Sequence, residues 1–286
     1  MIGSEEKKLP PTLADMRRIA RTATDGSEKE VLSLYDGIMA RTVAPPIAWA
    51  AIRMGFSADF VTLLSVLSGL AGAALFTCGT LYGDLAAVGL LHVSYLLDCI
   101  DGDVARATGT AGIDGHLRDT YRHYLLGPLM FCALTLSAHD RHPEKWIILA
   151  GVLAAFFSTR LVGDIQDRVT LEGLIKKLQK PGASPAITLE KPAPSMISRF
   201  VYFLRGLFLR DLSLMNWFTL GVIVDAVLLR PRNSGWLAID CLFIFLAAMQ
   251  VLMKTAGLIV LWRRGVGGRV DEIANEIEAR RSGRSR

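Results

Sequence analysis

Between residues 59 and 262 the chain carries six apolar runs, at about 59–78, 82–100, 121–139, 146–163, 212–230 and 236–262. A bilayer core takes roughly 17–25 residues of helix. Inside lipid every backbone N–H and C=O must find a partner within the segment, which leaves α-helices or closed barrels. Runs of this length predict helices. With 51% hydrophobic residues, the chain is expected to be an all-α, polytopic integral membrane bundle of six transmembrane helices. The N-terminal MIGSEEKKLP has no apolar core, so no cleaved leader is expected.

The net charge of +5 is unevenly spread. Lys and Arg gather in 7–53, 106–122, 160–210 and 263–286, while the connections near 78–84 and 231–236 are short. An even number of spans puts both termini on one side. The positive-inside rule makes that side the cytoplasm. Arg141 and Lys145, in the outward connection 139–146, run against this trend. The basic residues flank spans and suit anionic membrane lipids, so no nucleic-acid partner is expected.

Three regions follow: a cytoplasmic segment 1–44, a membrane domain 45–262 with a cytoplasmic loop 165–211, and a basic tail 263–286. Within the second, VAPPIAWAAIRMG (residues 43–55) is apolar but short and opens on Pro45 and Pro46. It predicts an interfacial helix along the headgroups, with Arg41 and Arg53 towards phosphate. In the tail, Glu272, Glu276 and Arg280 share i,i+4 spacing and predict a short solvated helix. Cys78, Cys99, Cys132 and Cys241 have no paired spacing. Free thiols are expected, not a disulfide or a zinc site.

Residues 98–123 read DCIDGDVARATGTAGIDGHLRDTYRH. Carboxylates at membrane depth are costly and mark function. On a helix, Asp98, Asp101 and Ala105 share a face, and Gly102 and Ala105 leave it nearly bare. Asp119 and His123 share a face at the start of the third run. The small residues of 107–114 permit a tight turn, which would bring the two faces together as antiparallel neighbours. Clustered acids need a counter-charge, and a hard divalent cation such as Mg²⁺ takes oxygen ligands and bridges phosphates. Arg106 could contact phosphate or pair with an acid. The bland alternative has the acids paired with Arg106, Arg118 and Arg122 at the membrane edge.

This stretch resembles the signature of the CDP-alcohol phosphotransferases, D-x-x-D-G-x-x-A-R-(x)8-G-x-x-x-D-x-x-x-D, matched by Asp98, Asp101, Gly102, Ala105, Arg106, Gly115 and Asp119. The resemblance implies a phospholipid-synthesising transferase. It would move a phosphoalcohol group from a CDP-alcohol, CDP-diacylglycerol foremost, to a hydroxyl acceptor and release CMP. Asp98, Asp101 and Asp119 would hold Mg²⁺ or Mn²⁺, with Asp101 also facing the nucleotide. Gly102, Ala105 and Gly115 would admit the cytidine nucleotide, with Arg106 beside it. Relatives often form homodimers.

The departure is His123, where the pattern has its last Asp, the implied base. With an unperturbed pKa of about 6.5, histidine is a competent base near neutral pH, and His123 is the expected catalytic residue. The family's Pro-Asn-x-x-Thr element appears as Ala58, Asp59 and Thr62, of which only Thr62 matches. Structural pairing is the expectation for Asp225, Asp240 and Lys254, and helix-to-helix bonding for His92. The alternatives to an enzyme are an inactive relative and a cation-binding transporter.

Overall fold

The computed structural model describes residues 11–22, 34–159, 167, 170–171, 211–229, 236–264 and 273. Among them there is no β-strand; the described chain is helical throughout. A short helix α1 (Leu13–Arg21) and α2 (Leu34–Ile38) precede one π-helical turn, Met39–Val43, and α3 (Ala44–Arg53). The long helices α4 (Ala58–Phe76), α5 (Leu81–Thr108) and α6 (Ile113–Arg141) follow, then α7 (Lys145–Ser158). Helix α8 (Asp211–Val224) ends in a second π-helical turn, Asp225–Leu229, before α9 (Ala238–Arg264). Each of the six expected runs meets one of α4 to α9. Three helical segments, Ala58–Phe76, Leu81–Thr108 and Ala238–Gly257, are long and apolar enough to cross a membrane by length and composition, and Lys145–Ser158 and Met215–Leu229 are shorter apolar helices. Most of the loop 165–211 and of the tail 263–286 lies outside the described residues, as do Arg160, Asp164, Glu276 and Arg280.

Local chemistry sets the helix ends. Thr12 caps α1 in a capping box with Asp15, whose carboxylate takes bonds from the Thr12 hydroxyl (2.7 Å) and backbone N–H (3.0 Å). Those bonds, hydroxyl first, hold the Asp15 carboxyl below its ordinary pKa. Pro45 and Pro46 sit in the first turn of α3, where a missing N–H costs nothing. Ser57 caps α4 and Thr80 caps α5. Helix α5 stops at Gly109, which adopts the left-handed φ of +72° that glycine takes without strain. Only residues 109–112 separate α5 from α6, so the expected tight turn is present.

Two apolar cores stack along the bundle. The larger joins Phe76 of α4, Leu91 of α5, Phe131 and Leu134 of α6, Ile147 of α7, Phe218 of α8 and Phe243 of α9. The smaller joins Met16 of α1, Ala44, Ala48 and Ala51 of α3, Val61 of α4, and Ile100 and Val104 of α5. Thus α3 is half sunk into the bundle. Its other face exposes Ile47, and Arg53 lies over the Trp49 ring at 4.1 Å. Helix α5 packs chiefly on α4, and α6 packs on α7 and then on α4; α5 and α6 touch each other far less. That differs from the expected direct α5–α6 pairing, and it makes α4 the shared wall.

Polar bonds tie the layers together. Tyr35 bonds His92 Nδ1 at 2.6 Å, and His92 Nε2 bonds Thr219 at 2.9 Å. Burial, and then the nearby Cys99 thiol, push the Tyr35 phenol above its ordinary pKa, so it stays a donor. Thr219 spends its own proton on the Met215 carbonyl. The relay therefore runs Tyr35 to His92 to Thr219, through a neutral imidazole protonated at Nε2. His92 is the interhelical bond the sequence suggested.

At the opposite end of the bundle, Arg141 makes a two-pronged ion pair with Asp240, which is 1% exposed. His142 stacks on Trp236 with ring centroids 3.8 Å apart. Of the two basic residues that ran against the loop trend, Arg141 is thus neutralised internally. Asp225 accepts from the N–H groups of Ala238 and Ile239 at the start of α9, and Lys254 bonds the Thr159 carbonyl. All three residues are structural, as expected. None of the four cysteines is disulfide-bonded.

Helices α6 and α7 touch through Gly151, where an added Cβ would lie 1.8 Å from Thr135 Oγ1. Gly151→Ala is expected to cost about 1–3 kcal/mol through overpacking, read as a lower midpoint in detergent-denaturation titrations. Gly89→Ala, where a Cβ meets nothing within 4 Å, should lower it not at all.

Candidate active site

Where the two cores meet, the sequence places polar side chains on three helices. On α4 these are Thr62 and, one turn on, Ser65; on α5 they are Ser94, Asp98 and Asp101; on α6 it is Arg122. Ser65 and Ser94 are fully buried and bond reciprocally. The Ser65 hydroxyl donates to the Ser94 carbonyl (2.8 Å), and the Ser94 hydroxyl to the Ser65 carbonyl (2.7 Å). Small side chains let two backbones approach closely enough for this exchange.

With its proton spent on Ser94, the Ser65 oxygen is an acceptor, and Arg122 Nη1 donates to it at 3.0 Å. Arg122 Nη2 meets Asp98 Oδ2 at 2.8 Å. The Arg122 side chain is 6% exposed and that of Asp98 24%. Asp101 accepts from the Thr62 hydroxyl at 2.7 Å. Each signature carboxylate of α5 is therefore met by a polar side chain from a neighbouring helix, and the Thr62 hydroxyl also reaches the Ala58 carbonyl of its own helix at 3.0 Å.

Arg106 does not reach across the site. It turns back to Asp103 on its own helix, Nη2 to Oδ1 at 2.6 Å, and Asp103 is 2% exposed. The guanidinium lies over Gly102, where a Cβ would sit 3.3 Å from Nη1. Gly102 thus gives room to the arginine as well as baring the helix face. Ala105 is half-buried beside it. Gly115 is exposed, and a Cβ there would meet nothing within 4 Å. Asp119 and His123 lie one turn apart on α6, on either side of Arg122 in sequence. Their side chains, with those of His116 and Arg118, lie outside the described ones.

Three residues took a larger part than the sequence suggested. Thr62, a lone match to a degenerate element, is the Asp101 donor. Ser65, one of many small residues in α4, is the Arg122 acceptor. Asp103, a variable position of the signature, holds Arg106; its i,i+3 spacing to Arg106 was the available clue. Arg122 is buried and paired with Asp98. For that one acid the ion-pair alternative describes what is seen. Among the described residues no three His, Cys, Asp or Glu side chains converge as a metal cage; of the expected ligands only Asp98 and Asp101 are described.

Fold and site together define an integral membrane helical protein with a carboxylate-bearing polar layer towards one end of its bundle. Residues 56–179 match the family model for CDP-alcohol phosphatidyltransferase. The signature 98–123 falls inside this range. The phosphatidylinositol phosphate synthases of Mycobacterium tuberculosis and Mycobacterium bovis are 27% identical over 135 residues, covering 46% of this chain and 59% of theirs. The chain thus spans less than two thirds of the curated relatives it matches. A crystal structure of the Mycobacterium tuberculosis phosphatidylinositol phosphate synthase with manganese and citrate covers 77% of this chain and 90% of that one, at 19% identity and a TM-score of 0.48.

Ser65 is the joint between the helix pair and the arginine. Ser65→Ala strands a buried guanidinium N–H and is expected to cost about 1–3 kcal/mol of stability. Ser68→Ala, at a half-buried position of the same helix, should stay within about 0.5 kcal/mol. Thermal unfolding in detergent distinguishes the two.

Proposed function

We propose that this protein is a transferase of phospholipid synthesis. It moves a phosphoalcohol group, phosphatidyl in the first instance, from a CDP-alcohol to a hydroxyl acceptor and releases CMP. The observation that carries this reading is the pair Asp98 and Asp101, on one face of α5 and each contacted by a polar side chain of α4 or α6, inside the matched region. The six helices α4 to α9 would form the membrane domain, with both termini and the site on the cytoplasmic side, as the basic flanks favour.

The donor set is all carboxylate oxygen, which suits Mg²⁺ or Mn²⁺ and not a softer ion. Asp98, Asp101 and Asp119 would hold it. When bound, the ion would neutralise the donor's pyrophosphate and ease departure of CMP. Thr62 fixes the orientation of Asp101, as partners behind a metal ligand do. Gly102, Ala105 and Gly115 leave room for the nucleotide to lie along the backbone of α5 and α6. Arg106, braced by Asp103, presents positive charge beside it. His123 would take the proton of the acceptor hydroxyl. The acceptor oxygen attacks the β-phosphorus, and the bond from that phosphorus to the CMP oxygen breaks.

Incubating membranes that contain the protein with CDP-diacylglycerol, a panel of polar alcohols and Mg²⁺ should release CMP and yield a phosphodiester lipid detectable by mass spectrometry. Chelation should abolish both. A protein that binds cations but releases no CMP from any donor would be a transporter or an inactive relative.

A neutral imidazole is the working form of a histidine base. The rate should therefore be full above its pKa and fall as pH drops through about 6.5. His123→Ala should lose roughly 10²–10⁴ in kcat and flatten that limb of the profile. Full activity of His123→Ala at saturating Mg²⁺ would remove His123 from this role.

A further inference from the structure

Arg122 lies in the N-terminal part of α6. An arginine at the rim of a membrane bundle ordinarily reaches out to the headgroups. This one reaches inward: it is 6% exposed, its Nη1 is held by Ser65, and its Nη2 lies 2.8 Å from Asp98 Oδ2. The Ser65 lone pair that receives it is set by the Ser65–Ser94 exchange. The guanidinium is therefore built into the helix junction.

Its next neighbour in sequence is His123, which stands where the family signature has a fourth carboxylate. Four carboxylates would balance two divalent ions. Here the sequence supplies three carboxylates, Asp98, Asp101 and Asp119, and the fold fixes one guanidinium, that of Arg122. The remaining charge of minus two is that of a single divalent ion. Moreover, one Asp98 oxygen is already bonded to a cation, and a carboxylate that bridges two metals needs both oxygens.

We propose that Arg122 stands in for a second metal ion, so that the site takes one divalent cation per chain and Arg122 supplies the other positive charge beside Asp98. The inference rests on the metal-dependent reading above. Arg122 acts as a positioning residue: it holds Asp98 and, together with His123, sets the metal stoichiometry. A guanidinium cannot be deprotonated at any working pH, so this charge is permanent and independent of metal supply.

The test is Mn²⁺ titration of the purified full-length protein, followed by electron paramagnetic resonance. Loss of the free Mn²⁺ signal gives the stoichiometry, and spin coupling reports a second ion nearby. The wild type should bind one Mn²⁺ with an uncoupled spectrum. His123→Asp alone should still bind one, because Arg122 keeps Asp98. The double variant Arg122→Gln, His123→Asp should bind two, spin-coupled. A coupled pair in the wild type or in His123→Asp overturns the role given to Arg122 and leaves the metal-dependent reading standing. No Mn²⁺ bound to the wild type overturns that reading itself. A coupled pair in the wild type overturns it even where a variant fails to fold.

Discussion

Carboxylates within an apolar bundle are the constraint around which this fold is arranged. Asp98 and Asp101 lie on one face of α5, and neither is left to its own helix. Thr62 of α4 donates to one, and Arg122 of α6 pairs with the other. The two apolar cores can meet at this level only because a polar layer is closed between them. That layer fixes the spacing of α4, α5 and α6 at once. Ser65 is its hinge point, bonded to Ser94 on one side and to Arg122 on the other. A networked layer of this kind is worth more to positional order than to stability, since buried ion pairs roughly break even against apolar packing.

The same helix is pinned away from the layer. Above it, His92 links α5 to Tyr35 in the N-terminal region and to Thr219 of α8. Below it, Ile100 and Val104 sit in the smaller core with Met16 and the alanines of α3. The acid-bearing turn of α5 therefore lies between a hydrogen-bonded clamp and an apolar clamp. The N-terminal helices are part of this frame, although composition alone marked them as polar flank and surface helix.

Much of the architecture was legible in the sequence because lipid leaves so few options. Six apolar runs gave α4 to α9, the small residues of 107–114 gave the tight turn after α5, and the carboxylate spacing placed Asp98 and Asp101 together. What was not legible lay in the long side chains. Whether Arg122 points to headgroups or inward depends on the rotation of α6 against α4, which periodicity does not fix. The packing of α5 and α6 on α4, in preference to each other, follows from the small face of α4 at Ser65 and Gly69 and from the bond at Thr62. A list of small residues cannot say which partner a small face receives. Arg106 was expected in the site, yet its tether, Asp103, belongs to no family position. The expectations for Asp119 and His123 as side chains, and for the loop 165–211, fall outside the described residues.

Two arginines end up near the carboxylates, and they are prepared differently. Arg106 is fixed within α5 by a buried acid three residues away, and lies over a glycine that leaves it room. Arg122 is fixed between helices, by a serine and a signature acid. In both cases the partner holding the guanidinium was in place before any substrate arrives. A polyanion entering such a site meets positive charge already oriented and already desolvated, so little reorganisation is left for the moment of binding or reaction. The difference lies in what each arginine gives up. Arg106 leans on Asp103, outside the signature, and leaves the signature acids to other cations. Arg122 leans on Asp98 itself, and so draws on the same negative charge that a metal would use. An arginine and a metal would compete for that charge, and Arg122 already sits between Ser65 and the acid.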